Sequence, residues 1–135
     1  MERARIGKLT RNQHVLFRLG ELIAHAEGAA SLVRRAGQAA VGTPHPSADH
    51  RFGPAALATL SRIAARDAAL KVAADGLRWT RGADAIGDAE LAAFEDAAGV
   101  AAIHRAQGGL LADMDRAADA LYGRSAAATA ARSVA

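Results

Sequence analysis

Between Thr10 and Ala36 the apolar residues Val15, Leu19, Leu22, Ala26, Ala29, Val33 and Ala36 recur with gaps of 4, 3, 4, 3, 4 and 3. Such spacing lays one apolar seam along a helix. A strand needs period two and a membrane span needs an unbroken apolar run, so the stretch predicts a long helix packed against other helices. The pattern repeats twice. Ala56, Leu60, Ile63, Asp67, Leu70, Ala74 and Leu77 keep the same gaps with one polar interruption. Ile103, Gln107, Leu110, Met114, Ala117 and Leu121 nearly keep them, broken at Gln107. Leu16, Ile23 and Ala30, seven apart, widen the first seam to one side.

Capping and turn residues set the expected boundaries. Thr10 or Asn12 can cap a first helix that runs to about Ala40. Pro44 and Pro46 forbid its continuation through the loop VGTPHPSADHRFG. Pro54 suits the first turn of a second helix ending near Arg81, with Gly82 as its stop. Asp88 opens a short helix over 89–98 with Leu91 and Phe94 as its apolar pair, ended by Gly99. A last helix is expected over 100–122, with Gly108 and Gly109 inside it and Gly123 as its stop. The fold expected is all-α: an up-down-up bundle of three long helices with one short extra helix between the second and the last. Residues 1–9 read as a flexible basic N-terminus, 10–123 as the bundle domain and 124–135 as an Ala-rich, disordered tail.

A chain of 135 residues can bury one core. With 3 Phe, 1 Trp and 1 Tyr, that core must be built largely from small side chains. No cysteine is present, which excludes disulfide and thiolate chemistry and suits a reducing cytoplasm. No secretory signal pattern or membrane-spanning run is visible. The net charge of +3 is unevenly placed. Residues 1–40 carry 7 basic and 3 acidic side chains, 41–82 carry 6 and 3, and 83–124 carry 3 and 8. A basic first part and an acidic last part predict pairing within the fold, and argue against a nucleic-acid binder, which gathers its cations on one uncompensated face.

Asp67 interrupts the second seam, at the level of His25 if the first two helices are antiparallel. A buried carboxylate is costly alone, so His25 or an arginine is expected to reach it. Phe17 lies off the first seam and is the candidate for a docking face. Glu21 and His25 stand one turn apart, His14 lies between Arg11 and Arg18, and Trp79 lies among Arg78, Thr80 and Arg81. These could form an acid–base pair, an anion site and a stacking platform, but each reads more simply as helix decoration or core. The acidic run Asp113, Asp115 and Asp119 reads as a solvated face, with Asp113 pointing away from the other two. His45, Asp49 and His50 carry no metal-ligand spacing. No catalytic, cofactor-binding or metal-ligating residue is assigned.

The wording of the helices carries more than their spacing. LTRNQHVLFRLGELIAHAEGAASLVRRA, SRIAARDAALKVAADGLRW and AQGGLLADMDRAADALYGR, in that order, resemble the C-terminal helical region of bacterial acyl-CoA dehydrogenases. The resemblance runs from about residue 8 to 124. It implies an accessory helical domain that packs on the FAD-dependent catalytic body or on a dimer partner, in an enzyme that oxidises fatty acyl-CoA to 2-enoyl-CoA. FAD is implied for the full-length relative only. The β-domain and the catalytic-glutamate motif of that family have no counterpart here, and neither Glu21 nor Glu27 is nominated as the base.

Two other classes remain. A small helical enzyme of chorismate-mutase-like architecture would use Arg18, Lys71 and Gln107 around a dianion. A basic helical nucleic-acid binder would need one continuous cationic face. A membrane-surface role would need the very helix faces a bundle buries.

Overall fold

The computed structural model describes residues 11–47, 52–84 and 86–124. Five α-helices and no strand occur among them. They are α1 (Gln13–Ala40), α2 (Pro54–Gly82), α3 (Asp88–Ala97), α4 (Val100–Ala106) and α5 (Leu110–Leu121). The readings of 1–9, Thr10 and the tail beyond Arg124 lie outside the described residues, as do Asp49 and His50.

Local chemistry explains the boundaries. Asn12 caps α1: its Oδ1 accepts the backbone N–H of His14 at 3.0 Å and of Val15 at 3.4 Å. Pro54 opens α2 as expected. The stop of α2 is Asp84, not Gly82. Asp84 takes a left-handed backbone, φ 50°, and its N–H donates to the Arg81 carbonyl at 3.0 Å. Aspartate tolerates that region better than most residues, but less well than glycine. Gly87 caps α3, and its N–H donates to the Glu90 carboxylate.

The expected helix over 100–122 is two helices. Gly109 adopts φ 79°, which no helix interior accommodates, so the chain turns at 107–109 before α5 begins. The break resets the phase of the seam. In α5 the inward positions are Leu110, Asp113, Ala117 and Ala120, while Met114 and Leu121 face solvent.

The described chain divides into two compact units: one from residues up to Gly28 with Arg66–Gly108, the other from Ala29–Ala65 with residues from Gly109 on. In the first, Val15 and Leu22 of α1, Ala68 of α2 and Ile86 are buried. Ile86 is only 2% exposed, and its carbonyl accepts Arg81 Nη1 at 3.0 Å, fixing the α2–α3 connection. Glu21 meets Lys71, and His14 meets Trp79. Numbers rise along α1 as they fall along α2, so these two segments are antiparallel. In the second unit Ala36, Ala39, Thr59, Ser61, Asp113 and Ala117 are buried. Along α1 the buried line passes from Val33, which is exposed, to Leu32 and Ala39. A 3.5-residue repeat slips about 20° per heptad around a straight helix, enough to exchange neighbouring positions over this length.

Asp84 combines left-handed strain with a negative charge beside the negative end of α2. Replacing Asp84 with Gly is expected to raise stability by up to about 1 kcal/mol in urea unfolding, because both costs disappear. A loss of stability would show that the aspartate side chain anchors the turn.

Candidate functional site

Three clusters of polar side chains are built by these elements. The first lies between α1 and the second half of α2. Glu21 accepts Arg18 Nη1 at 2.9 Å on one carboxylate oxygen and pairs with Lys71 Nζ at 3.0 Å on the other. Lys71 also pairs with Asp75 at 2.9 Å, one turn along α2. Hydrogen bonding from Lys71, then from Arg18, holds the Glu21 carboxyl below its ordinary value of 4.5. Hydrogen bonds to Asp75 and then Glu21 hold the Lys71 ammonium above 10.5. Further along the same pair of helices, His14 stands edge-on to Trp79 with ring centroids 5.0 Å apart. Arg78 and Arg18 place their guanidinium carbons 5.1 and 5.8 Å from the indole centroid. Trp79 Nε1 is buried with no hydrogen-bond acceptor, an arrangement that costs about 1–3 kcal/mol.

The second cluster closes the end of α4. Arg66 Nε donates to the Ala106 carbonyl at 2.7 Å and Nη2 to the Gly108 carbonyl at 2.8 Å. Gln107 returns the contact, its Nε2 donating to the Arg66 carbonyl at 3.3 Å. The guanidinium satisfies carbonyls that a helix terminus leaves orphaned. Gly108 and Gly109, expected inside a helix, thus mark a helix end held by Arg66.

The third cluster surrounds Asp113, which is 2% exposed. Arg62 of α2 grips it with both forks: Nη2 donates to Oδ1 at 2.6 Å and Nε to Oδ2 at 3.0 Å. Arg116 Nη1 adds a bond to Oδ1 at 2.9 Å. Thr59 accepts Arg62 Nη2 at 3.2 Å, which orients the guanidinium. The bond to Asp113 raises the Arg62 pKa above its ordinary value against the opposing effect of burial. A bidentate, charge-assisted pair of this kind fixes both distance and orientation.

The expected buried pair of Asp67 with His25 is not formed. Both residues are exposed, and no hydrogen bond or ion pair joins them among the described residues. The seam placed Asp67 inward, but Ala68 takes the buried position next to it. The buried carboxylate is Asp113, read from sequence as part of a solvated run, and an arginine does reach it. The signal was present: Leu110, Asp113, Ala117 and Ala120 follow gaps of 3, 4 and 3, a second seam one residue ahead of the more apolar one. Asp115 and Asp119 are exposed, with Asp119 3.5 Å from Arg124. Phe17 is 77% exposed on α1. Glu21 turns to Lys71 and Arg18 rather than to His25. His45 Nδ1 accepts the backbone N–H of Ser47, two residues on, at 3.2 Å. Arg18 and Lys71 meet at Glu21, while Gln107 is turned to the backbone carbonyls of Arg66 and Ile103, so the three do not surround one common site. No group of three or more potential metal ligands occurs among the described residues. No described helix is long and apolar enough to cross a membrane.

The two pKa displacements define a stability window. Glu21 is depressed, so its contribution is present above 4.5 and is lost as pH falls through the lowered folded value. Lys71 is elevated, so its contribution is present below 10.5 and is lost as pH rises through the raised folded value. Thermal unfolding of the wild type and of Glu21→Gln should therefore differ at neutral pH, with the wild type more stable, and converge as pH falls below the lowered folded value of Glu21. A difference that persists in acid would mean that the pair contributes through packing alone.

No protein-family model, curated protein or solved structure matches this chain.

Proposed function

We propose that this chain is a non-catalytic helical docking domain whose partner seats on the outer face of α1. The observation that carries the reading is an apolar strip at helical spacing: Leu16 is 50%, Phe17 77% and Ile23 46% exposed, with Gly20 and Ala24 between them. Three large apolar side chains on one helical face form the kind of surface that marks an interaction site. The described carboxylates near the helix pairings hold arginine or lysine, an arrangement suited to joining helices rather than to moving protons.

The resemblance of the three sequence segments to the C-terminal region of acyl-CoA dehydrogenases supplies the partner's class: the FAD-dependent catalytic body of such an enzyme, or a second copy in its dimer, in the cytoplasm. On this reading the flavin and the acyl-CoA belong to the partner. The up-down-up course is part of the same proposal. It is supported by the antiparallel pairing of α1 with α2 and by Arg66 and Arg81 of α2 meeting residues 106–108 and 86–88 in reversed order.

Co-purification from the native cells tests this reading. The tagged wild type should bring down a flavin-containing acyl-CoA dehydrogenase, and Phe17→Asp should lose it while keeping its helical circular dichroism. Undiminished capture by Phe17→Asp would remove α1 as the docking face. Recovery of no dehydrogenase would overturn the assignment of the partner.

A further inference from the structure

Two stretches of sequence that look unrelated, Arg11–Arg18 at the start of α1 and Arg78–Arg81 at the end of α2, come together in the first unit. At their meeting point His14, Arg18 and Arg78 surround the Trp79 ring. An arginine held over an indole is attracted by the ring quadrupole but keeps its full charge. Glu21 balances Arg18, while no carboxylate pairs with Arg11 or Arg78 among the described residues. The positive end of α1 adds to the same field. Within this group Trp79 Nε1 is a buried donor without an acceptor. Unmatched positive charge and an unmatched N–H donor together suit an oxyanion.

We propose that this cluster binds the phosphate group of a small soluble anion. Arg78 supplies the guanidinium fork, which matches two phosphate oxygens, and Arg18 exchanges part of its contact with Glu21 for the ligand. His14 flanks the bound group. A phosphate oxygen becomes the acceptor for Trp79 Nε1 after a small rotation of the half-buried ring. Tetrahedral, multiply charged oxyanions fit cations that approach from two helices better than a single carboxylate does. The proposal uses the solvent-facing cluster around Trp79, where α1 meets the end of α2, and does not rest on the docking strip around Phe17.

Trp79 is the chain's one tryptophan, so its fluorescence reports on this cluster alone. Inorganic phosphate and pyrophosphate are titrated at constant ionic strength into the wild type, Arg78→Ala, Arg18→Gln and Arg105→Ala. Arg105 is an exposed residue of α4 whose loss removes the same charge elsewhere. Circular dichroism confirms that each variant remains helical. The expected result is a saturable fluorescence change with pyrophosphate, weakened about tenfold or more in Arg78→Ala and left within about twofold in Arg105→Ala. A response that never saturates, or one that Arg105→Ala weakens as much as Arg78→Ala, would overturn the proposal. So would a response confined to an oligonucleotide or to anionic vesicles, which would make the surface one for polymers or membranes.

Discussion

The guanidinium groups of α2 are what the rest of the structure depends on. Most of the buried apolar side chains are alanines, which contribute little area each, and the large ones are Val15, Leu22 and Ile86. Small side chains let helices approach closely but give little to fix their register. Arginines supply it. Arg62 grips Asp113 with a two-point fork, Arg66 closes the end of α4, and Arg81 holds Asp88 and the Ile86 carbonyl before α3. Each has a long stem that covers apolar surface and a planar head that accepts only one geometry.

This arrangement also accounts for the uneven charge along the chain. The basic second segment and the acidic third are complementary parts of one set of contacts: Arg62 with Asp113 and Arg81 with Asp88 each join the two. The first segment enters through Glu21, which takes Lys71 from α2 and Arg18 from its own helix. Among the described residues Arg78 stands beside Trp79 with no carboxylate partner, and Leu16, Phe17 and Ile23 stand exposed on the outer face of α1. Both are places where the chain has surface that its own folding does not use.

Much of the helical layout is legible from residues alone. Asn12, Pro54 and Gly99 act where their chemistry places them, while α1 ends at a left-handed Gly42, ahead of the prolines. What the periodicity misses has two physical causes. A seam can be followed only while the helix continues, and the left-handed turn at Gly109 divides one expected helix into two with a new phase. Apolar patterning also ranks Met114 and Leu121 above Asp113, because it scores a carboxylate as outward and knows nothing of the arginine that would accompany it. Asp67 shows the converse error: a polar residue in phase with a seam is turned outward by a small rotation, and Ala68 fills the place. The two halves of the Trp79 cluster are legible separately, His14 beside Arg18 and Trp79 beside Arg78, and the antiparallel course of their helices brings them together.

The most direct test of the central claim is a double-mutant cycle at Arg62 and Asp113, read by urea unfolding of the wild type, Arg62→Ala, Asp113→Ala and the double variant. If the arginine row sets the register, each single change destabilises the chain, and the double variant loses much less than the sum of the two. Strictly additive losses would contradict the account. They would mean that the guanidinium and the carboxylate contribute separately and that the small apolar core alone holds α2 to α5.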